Sequence, residues 1–171
     1  MNIRRATVSD APAILGCLAA AFAPYRQEYT GGAYQATILT PETVGRRLRE
    51  MTVLLAVADT GEIAGTVAYA AIESGEGHLR GMAVDPAREG TGTASALLGA
   101  ALAELRAARC ARVTLETTAP LRRAIAFYRF HGFRPTGRVT DFHGMPLHQY
   151  ARSITVSLAT PTPVSPPHRS S

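Results

Sequence analysis

Residues Gly81-Met82-Ala83-Val84-Asp85-Pro86-Ala87-Arg88-Glu89-Gly90-Thr91-Gly92-Thr93-Ala94-Ser95-Ala96-Leu97-Leu98 decide how the chain folds. An apolar segment, His78 to Val84, reads as a strand ended by Asp85-Pro86. A glycine-containing turn follows, then a helix with the apolar stripe Ala94, Leu97, Leu98, Ala101, Leu102 and Leu105. The first N–H groups of a helix have no partner inside it, and the helix dipole favours negative charge there. A strand, turn and helix in this order therefore present an anion site, with phosphate or pyrophosphate as its natural guest. Gly90 and Gly92 allow a tight turn and close approach of a ligand, while Thr91, Thr93 and Ser95 offer hydroxyls. A dinucleotide fingerprint fits poorly, because Ser95 stands where the third glycine belongs and Arg109 or Arg112 where a ribose-binding acid is expected. A P-loop is excluded in a chain without lysine. A glycine-rich helix start that binds nothing stays open on this segment alone.

Before this unit, Asn2 to Thr7 reads as a short strand, and Asp10 as the N-cap of a helix with the stripe Ala11, Ile14, Leu15, Leu18 and Phe22. Pro24 to Gly32 reads as a loop rich in Tyr and Gly. Thr40 caps a second helix with Pro41 at its first position. Val53–Ala58 and Ile63–Ala71 flank Asp59-Thr60-Gly61-Glu62 as a β-hairpin. After it come a strand over Val113–Thr117, a helix from Pro120 to about His131, and two strands, Gly132 to Asp141 and Pro146 to Ile154. The order predicts an α/β fold with a mixed sheet and helices on its faces. Residues 1–157 read as one domain and residues 158–171, rich in proline, as a disordered tail.

The 171 residues suit a single domain with its own core. With 46% apolar and 18% charged residues, the body reads as globular. No apolar run approaches a bilayer span and the N-terminus lacks a signal-peptide core, so a soluble cytoplasmic protein without membrane contact is expected. Cys17 and Cys110 stand alone, without metal-ligand spacing, and read as reduced buried thiols; no metal is expected. Every basic residue is Arg. Eight of them, Arg106, Arg109, Arg112, Arg122, Arg123, Arg129, Arg134 and Arg138, share a window with a single acid, Glu116, which favours a polyanionic ligand or a merely solvated basic face. Nucleic acid is not expected, because the aromatics follow no recognition pattern.

Two blocks carry a family resemblance. The first is Gly81-Met82-Ala83-Val84-Asp85-Pro86 with Gly90-Thr91-Gly92-Thr93-Ala94 and Leu97-Leu98; the second is Leu115-Glu116-Thr117, Ala124-Ile125-Ala126-Phe127-Tyr128 and Gly132-Phe133. In order and spacing they resemble the acetyl-CoA-binding and second signatures of the GNAT (Gcn5-related) N-acetyltransferases, over roughly residues 1 to 155. The resemblance implies a mostly antiparallel sheet of six to seven strands, flanked by helices, whose central strands splay apart. Two positions depart from the pattern. Glu89 replaces the Gln or Arg that opens the first motif, with Arg88 the nearest compensating cation, and Leu121 replaces a common Asn.

The resemblance implies that acetyl-CoA is the cosubstrate, held by the backbone of Met82, Ala83 and Val84 and, at its pyrophosphate, by Glu89, Gly90, Thr91, Gly92, Thr93, Ala94 and Ser95. Arg122 and Arg123 reach its other phosphates. It further implies direct attack of a primary amine of a small molecule or peptide on the thioester. An alkylamine with a pKa near ~10 is neutral about one part in a thousand at pH 7, a deficit of ~4 kcal/mol, so its proton loss needs help. Glu116 and His78 are the base candidates on the resemblance, and Tyr128 matches the tyrosine beside the departing sulfur. Tyr25, Glu28, Tyr29 and Tyr34 fall where family members build the acceptor site, a mix suited to a polar or cationic amine. A homodimer is compatible. The alternative is a catalytically idle acyl-CoA-binding sensor or scaffold.

Overall fold

The structure is a computed structural model, and it describes residues 1–154. The expected boundary at 157 and the tail over 158–171 lie outside the described residues. Seven strands form one sheet: β1 (Asn2–Arg5), β2 (Thr52–Val57), β3 (Ile63–Ile72), β4 (Glu76–Val84), β5 (Arg112–Thr117), β6 (Arg134–Phe142) and β7 (Met145–Ser153). Their order is β1-β2-β3-β4-β5-β7-β6, antiparallel everywhere except between β4 and β5. Five helices flank it: α1 (Ala11–Phe22), α2 (Gly31–Ile38), α3 (Pro41–Glu50), α4 (Thr93–Ala107) and α5 (Arg122–Phe130).

The run Val53-Leu54-Leu55-Ala56 explains why helices cover both faces. All four residues are buried, and alternate side chains of a strand point to opposite faces. Val53 and Leu55 pack with Ile14, Leu18 and Val44 of α1 and α3. Leu54 and Ala56 pack with Leu97, Leu98, Ala101 and Leu105 of α4, in a cluster that extends to Tyr128 of α5 and to Phe133. At the far edge, β6 is exposed along most of its length and carries Arg134, Pro135 and Arg138, features that discourage pairing with another edge.

Three local expectations need correction. Pro24–Gly32 is not a plain loop: Ala23–Glu28 forms a 3-10 turn, and α2 begins at Gly31 with Thr30 accepting from the Ala33 N–H. Asp10 precedes α1 but does not cap it through its side chain. Its carboxylate accepts from the Thr7 N–H and pairs with Arg4 at 2.8 Å, which holds its pKa well below the ordinary carboxylate range. The helical run Val8–Glu28 contains an 18-residue stretch that is apolar enough to cross a membrane by length and composition, contrary to expectation. In the fold its Ile14, Cys17 and Leu18 are buried against the sheet. Both cysteines are free and buried, and burial pushes the Cys17 thiol up to about 11.

Candidate active site

The sheet opens at its centre. β4 and β5 pair only through Glu76–Arg112, Gly77–Val113 and His78–Thr114, and beyond these three pairs the strands part. A bulge in β4 between Arg80 and Ala83, against Ala68 and Thr66 of β3, accompanies the parting. Gly81 sits in it at φ +62°, a left-handed backbone that suits glycine. The gap is a cavity of about 430 Å³ walled by Leu79–Val84 on one side and Leu115–Thr118 on the other.

The turn before α4 closes one end. Gly90 and Gly92 have φ of +74° and +83°, and Gly92 is the residue before the first helical turn. From Gly90 to Ser95 the backbone N–H groups have no acceptor among the described residues; the first helical bond is Ala96 N–H to the Gly92 carbonyl. Such a row of free donors at a helix start is an anion cradle. Gly90, Gly92, Thr93, Ala94 and Ser95 face the cleft, and Thr91 does not. The Thr91 hydroxyl donates to the Arg88 carbonyl and contacts that of Thr93, so it holds the turn. Glu89 lines the cleft but is bonded by Arg123, the cation that neutralises it. Arg88, expected to do so, pairs instead with Glu62 at 3.3 Å. Arg122 is exposed and does not line the cleft.

Tyr128 is placed by the α5 stripe. Its ring meets Phe127 and Phe133 edge-on, with centroids 5.4 and 5.8 Å away, and it lines the cavity while only 8% exposed. Its hydroxyl has no hydrogen-bond partner among the described residues, and burial pushes its pKa well above the ordinary tyrosine value. Opposite, Glu116 of β5 lies 3.2 Å from His78 Nε2, and His78 Nδ1 lies 3.1 Å from the Thr114 hydroxyl. Burial, outweighing the attraction of Glu116, lowers the His78 pKa from 6.5. At neutral pH the imidazole is therefore uncharged, and its contact with Glu116 is not a salt bridge. Glu116 lines both the main cleft and a second cavity of about 220 Å³ that holds His78.

Of the loop residues, Tyr25 and Tyr29 line the main cleft, and Tyr29 bonds the Thr118 hydroxyl at 2.6 Å. Tyr34 packs edge-on against Tyr29 under Arg26, and neither Tyr34 nor Glu28 lines the cleft. Sequence reasoning missed Arg47 of α3 and Arg80 of β4, which both line it.

The sequence pattern of the acetyltransferase (GNAT) family matches residues 18–133, and the chain belongs to that family. Solved structures share the fold. A GNAT-family acetyltransferase from Staphylococcus aureus Mu50 is 17% identical at TM-score 0.73, over 90% of this chain and 99% of that one. The ribosomal-protein-S18-alanine N-acetyltransferase of Escherichia coli is 21% identical at TM-score 0.72, over 92% and 96%. The PaiA N-acetyltransferase of Thermoplasma acidophilum, solved in complex with coenzyme A, is 16% identical at TM-score 0.74, over 90% and 98%. No curated protein sequence matches the chain. The sheet has the expected class: mixed, mostly antiparallel, with splayed central strands.

Proposed function

We propose that the protein transfers the acetyl group of acetyl-CoA to a primary amine by direct attack on the thioester. The observation that carries this reading is the parting of β4 and β5 beside the free N–H groups of Gly90–Ser95. An extended thioester arm fits between the strands along Met82, Ala83 and Val84, while its pyrophosphate fits the donors of the turn. Arg123 reaches the same end; its bond to Glu89 leaves the carboxylate neutralised, so Glu89 does not repel phosphate.

Glu116 accepts the proton that the amine must lose, with the His78 imidazole 3.2 Å from its carboxylate. The amine lone pair then forms the new N–C bond while the C–S bond breaks. Tyr128 donates a hydrogen bond to sulfur as charge develops there; its raised pKa suits a donor that stays protonated, and solvent protonates the thiolate. Dependence on acetyl-CoA accords with a cytoplasmic protein. Thiol release and mass spectrometry over a panel of amines and peptides test the reading, together with thermal stabilisation by acetyl-CoA. Acetylated amine with stoichiometric thiol is expected. Stabilisation without thiol release from any amine would instead identify the idle acyl-CoA-binding module.

A further inference from the structure

We propose that Arg47 and Arg80 form an anion subsite in the acceptor half of the cleft, so that the amine taken by this protein carries a carboxylate or a phosphate. The inference rests on the acyl-transfer reading and names its substrate class. Three observations carry it. The half-buried Arg47 reaches from α3 across Gly81, and a side chain at Gly81 would collide with its guanidinium. The missing Cβ thus makes room for a cation over the β4 bulge, where the strands have parted. Second, of the four arginines that line the main cleft, Arg88 and Arg123 are each paired with a carboxylate, whereas Arg47 and Arg80 have no such partner among the described residues. Third, Arg80 belongs to both cavities and shares the smaller one with His78, Glu116 and Arg138.

A half-buried guanidinium, Arg47, beside the exposed Arg80 is costly unless an anion joins the two. Burial, with Arg80 adding repulsion, lowers the Arg47 pKa to about 10, which leaves it charged at neutral pH. A carboxylate or phosphate would offset both charges through guanidinium hydrogen bonds. His78 and Arg80 lie two residues apart on β4, a spacing of about 6–7 Å on one strand face. An acceptor with its amine at Glu116 and its anion at the Arg pair is therefore short, on the scale of an amino acid. A polyamine would instead add positive charge beside Arg47, Arg80 and Arg138. The acid of the aromatic loop, Glu28, does not line the cleft to offset it.

The test compares amines that differ only in the anion: β-alanine with propylamine, and O-phosphoethanolamine with ethanolamine, which also separates carboxylate from phosphate. In turnover with acetyl-CoA, at least one anionic member is expected to exceed its counterpart at least tenfold in kcat/KM, and Arg47→Gln with Arg80→Gln should bring that ratio to within about threefold. Equal rates within both pairs overturn the proposal. So does a loss in the variant shared equally by both members, the signature of guanidinium groups acting on the thioester. If no amine is acetylated, the acyl-transfer reading fails separately and binding decides the subsite. The Arg47 and Arg80 Nε–H resonances of the wild-type protein should then shift with β-alanine or O-phosphoethanolamine and not with propylamine or ethanolamine; no shift with either anion overturns the subsite.

Discussion

Replacing Tyr128 by Phe isolates one hydroxyl. The Phe127 and Phe133 contacts at 5.4 and 5.8 Å are ring contacts, each worth about 0.5–1.5 kcal/mol, and Phe keeps both. The hydroxyl has no partner among the described residues, so its removal orphans no buried group. Stability should therefore change by less than about 0.5 kcal/mol. Catalysis should respond differently, because the bond to sulfur gains strength only as the C–S bond breaks, and an interaction made in the transition state alone appears in kcat. Loss of such a donor typically costs ~10²–10³ in rate. Water entering the open cleft would restore part of it, so the expected drop in kcat is at least about tenfold, or ~1.4 kcal/mol. Acetyl-CoA affinity should stay within about threefold. Steady-state kinetics, calorimetric titration and a melting curve on one preparation suffice. Wild-type kcat in a folded Phe variant would refute the reasoning and leave Tyr128 as a wall of the core. Because burial raises its pKa above the ordinary value near ~10, no limb of the pH profile below that value should disappear in the variant.

The Gly92→Asp variant puts a carboxylate among the free N–H groups at a residue with φ +83°. It should raise the acetyl-CoA dissociation constant at least about tenfold while costing about 1–3 kcal/mol of stability from the left-handed backbone, and unchanged affinity would remove the pyrophosphate from this turn. For pH dependence, His78 gains its proton below its ordinary 6.5, so the acidic limb of kcat/KM that reports it should lie under that value. Glu116→Gln removes the base together with the attraction that favours the charged imidazole, so in that variant the His78 titration is followed by NMR and should move lower still; a wild-type His78 titration above 6.5 would contradict the burial argument. Ending the chain after Ser157 retains Ile154 and its N–H bond to the Ala111 carbonyl, so the melting temperature should be nearly unchanged; a fall of several degrees would put the domain boundary further on.

The strand-to-helix unit of β4 and α4 was legible because Asp85-Pro86 stops a strand and the Leu97-Leu98, Ala101-Leu102, Leu105 stripe has one period only. α2 was not, for a physical reason. It starts with two glycines and buries only Ala33, so it has neither propensity nor an apolar stripe; Thr30 as its cap was the one available signal. Tyr128 could be placed because both signature blocks stand in register. The bond between Glu89 and Arg123 could not, since it joins side chains 34 residues apart across the cleft. Arg47 lies on a helix whose legible face is Val44 and Leu48, and nothing in that pattern says that its guanidinium crosses Gly81.

The three-pair junction between β4 and β5 also bears on how the molecule is held together. β1 to β4 are complete by residue 84 and pair in sequence order, while from residue 112 on β5 pairs with β7, the second strand of the β6–β7 hairpin. Each half of the sheet is built from its own stretch of chain, and the β4–β5 pairing joins the two. The cleft is the seam where the two halves meet, so it exists in neither half alone. With so few main-chain bonds across that seam, its walls are kept together by side chains, in a core that runs unbroken from Leu54 and Leu97 to Leu115, Tyr128 and Phe133.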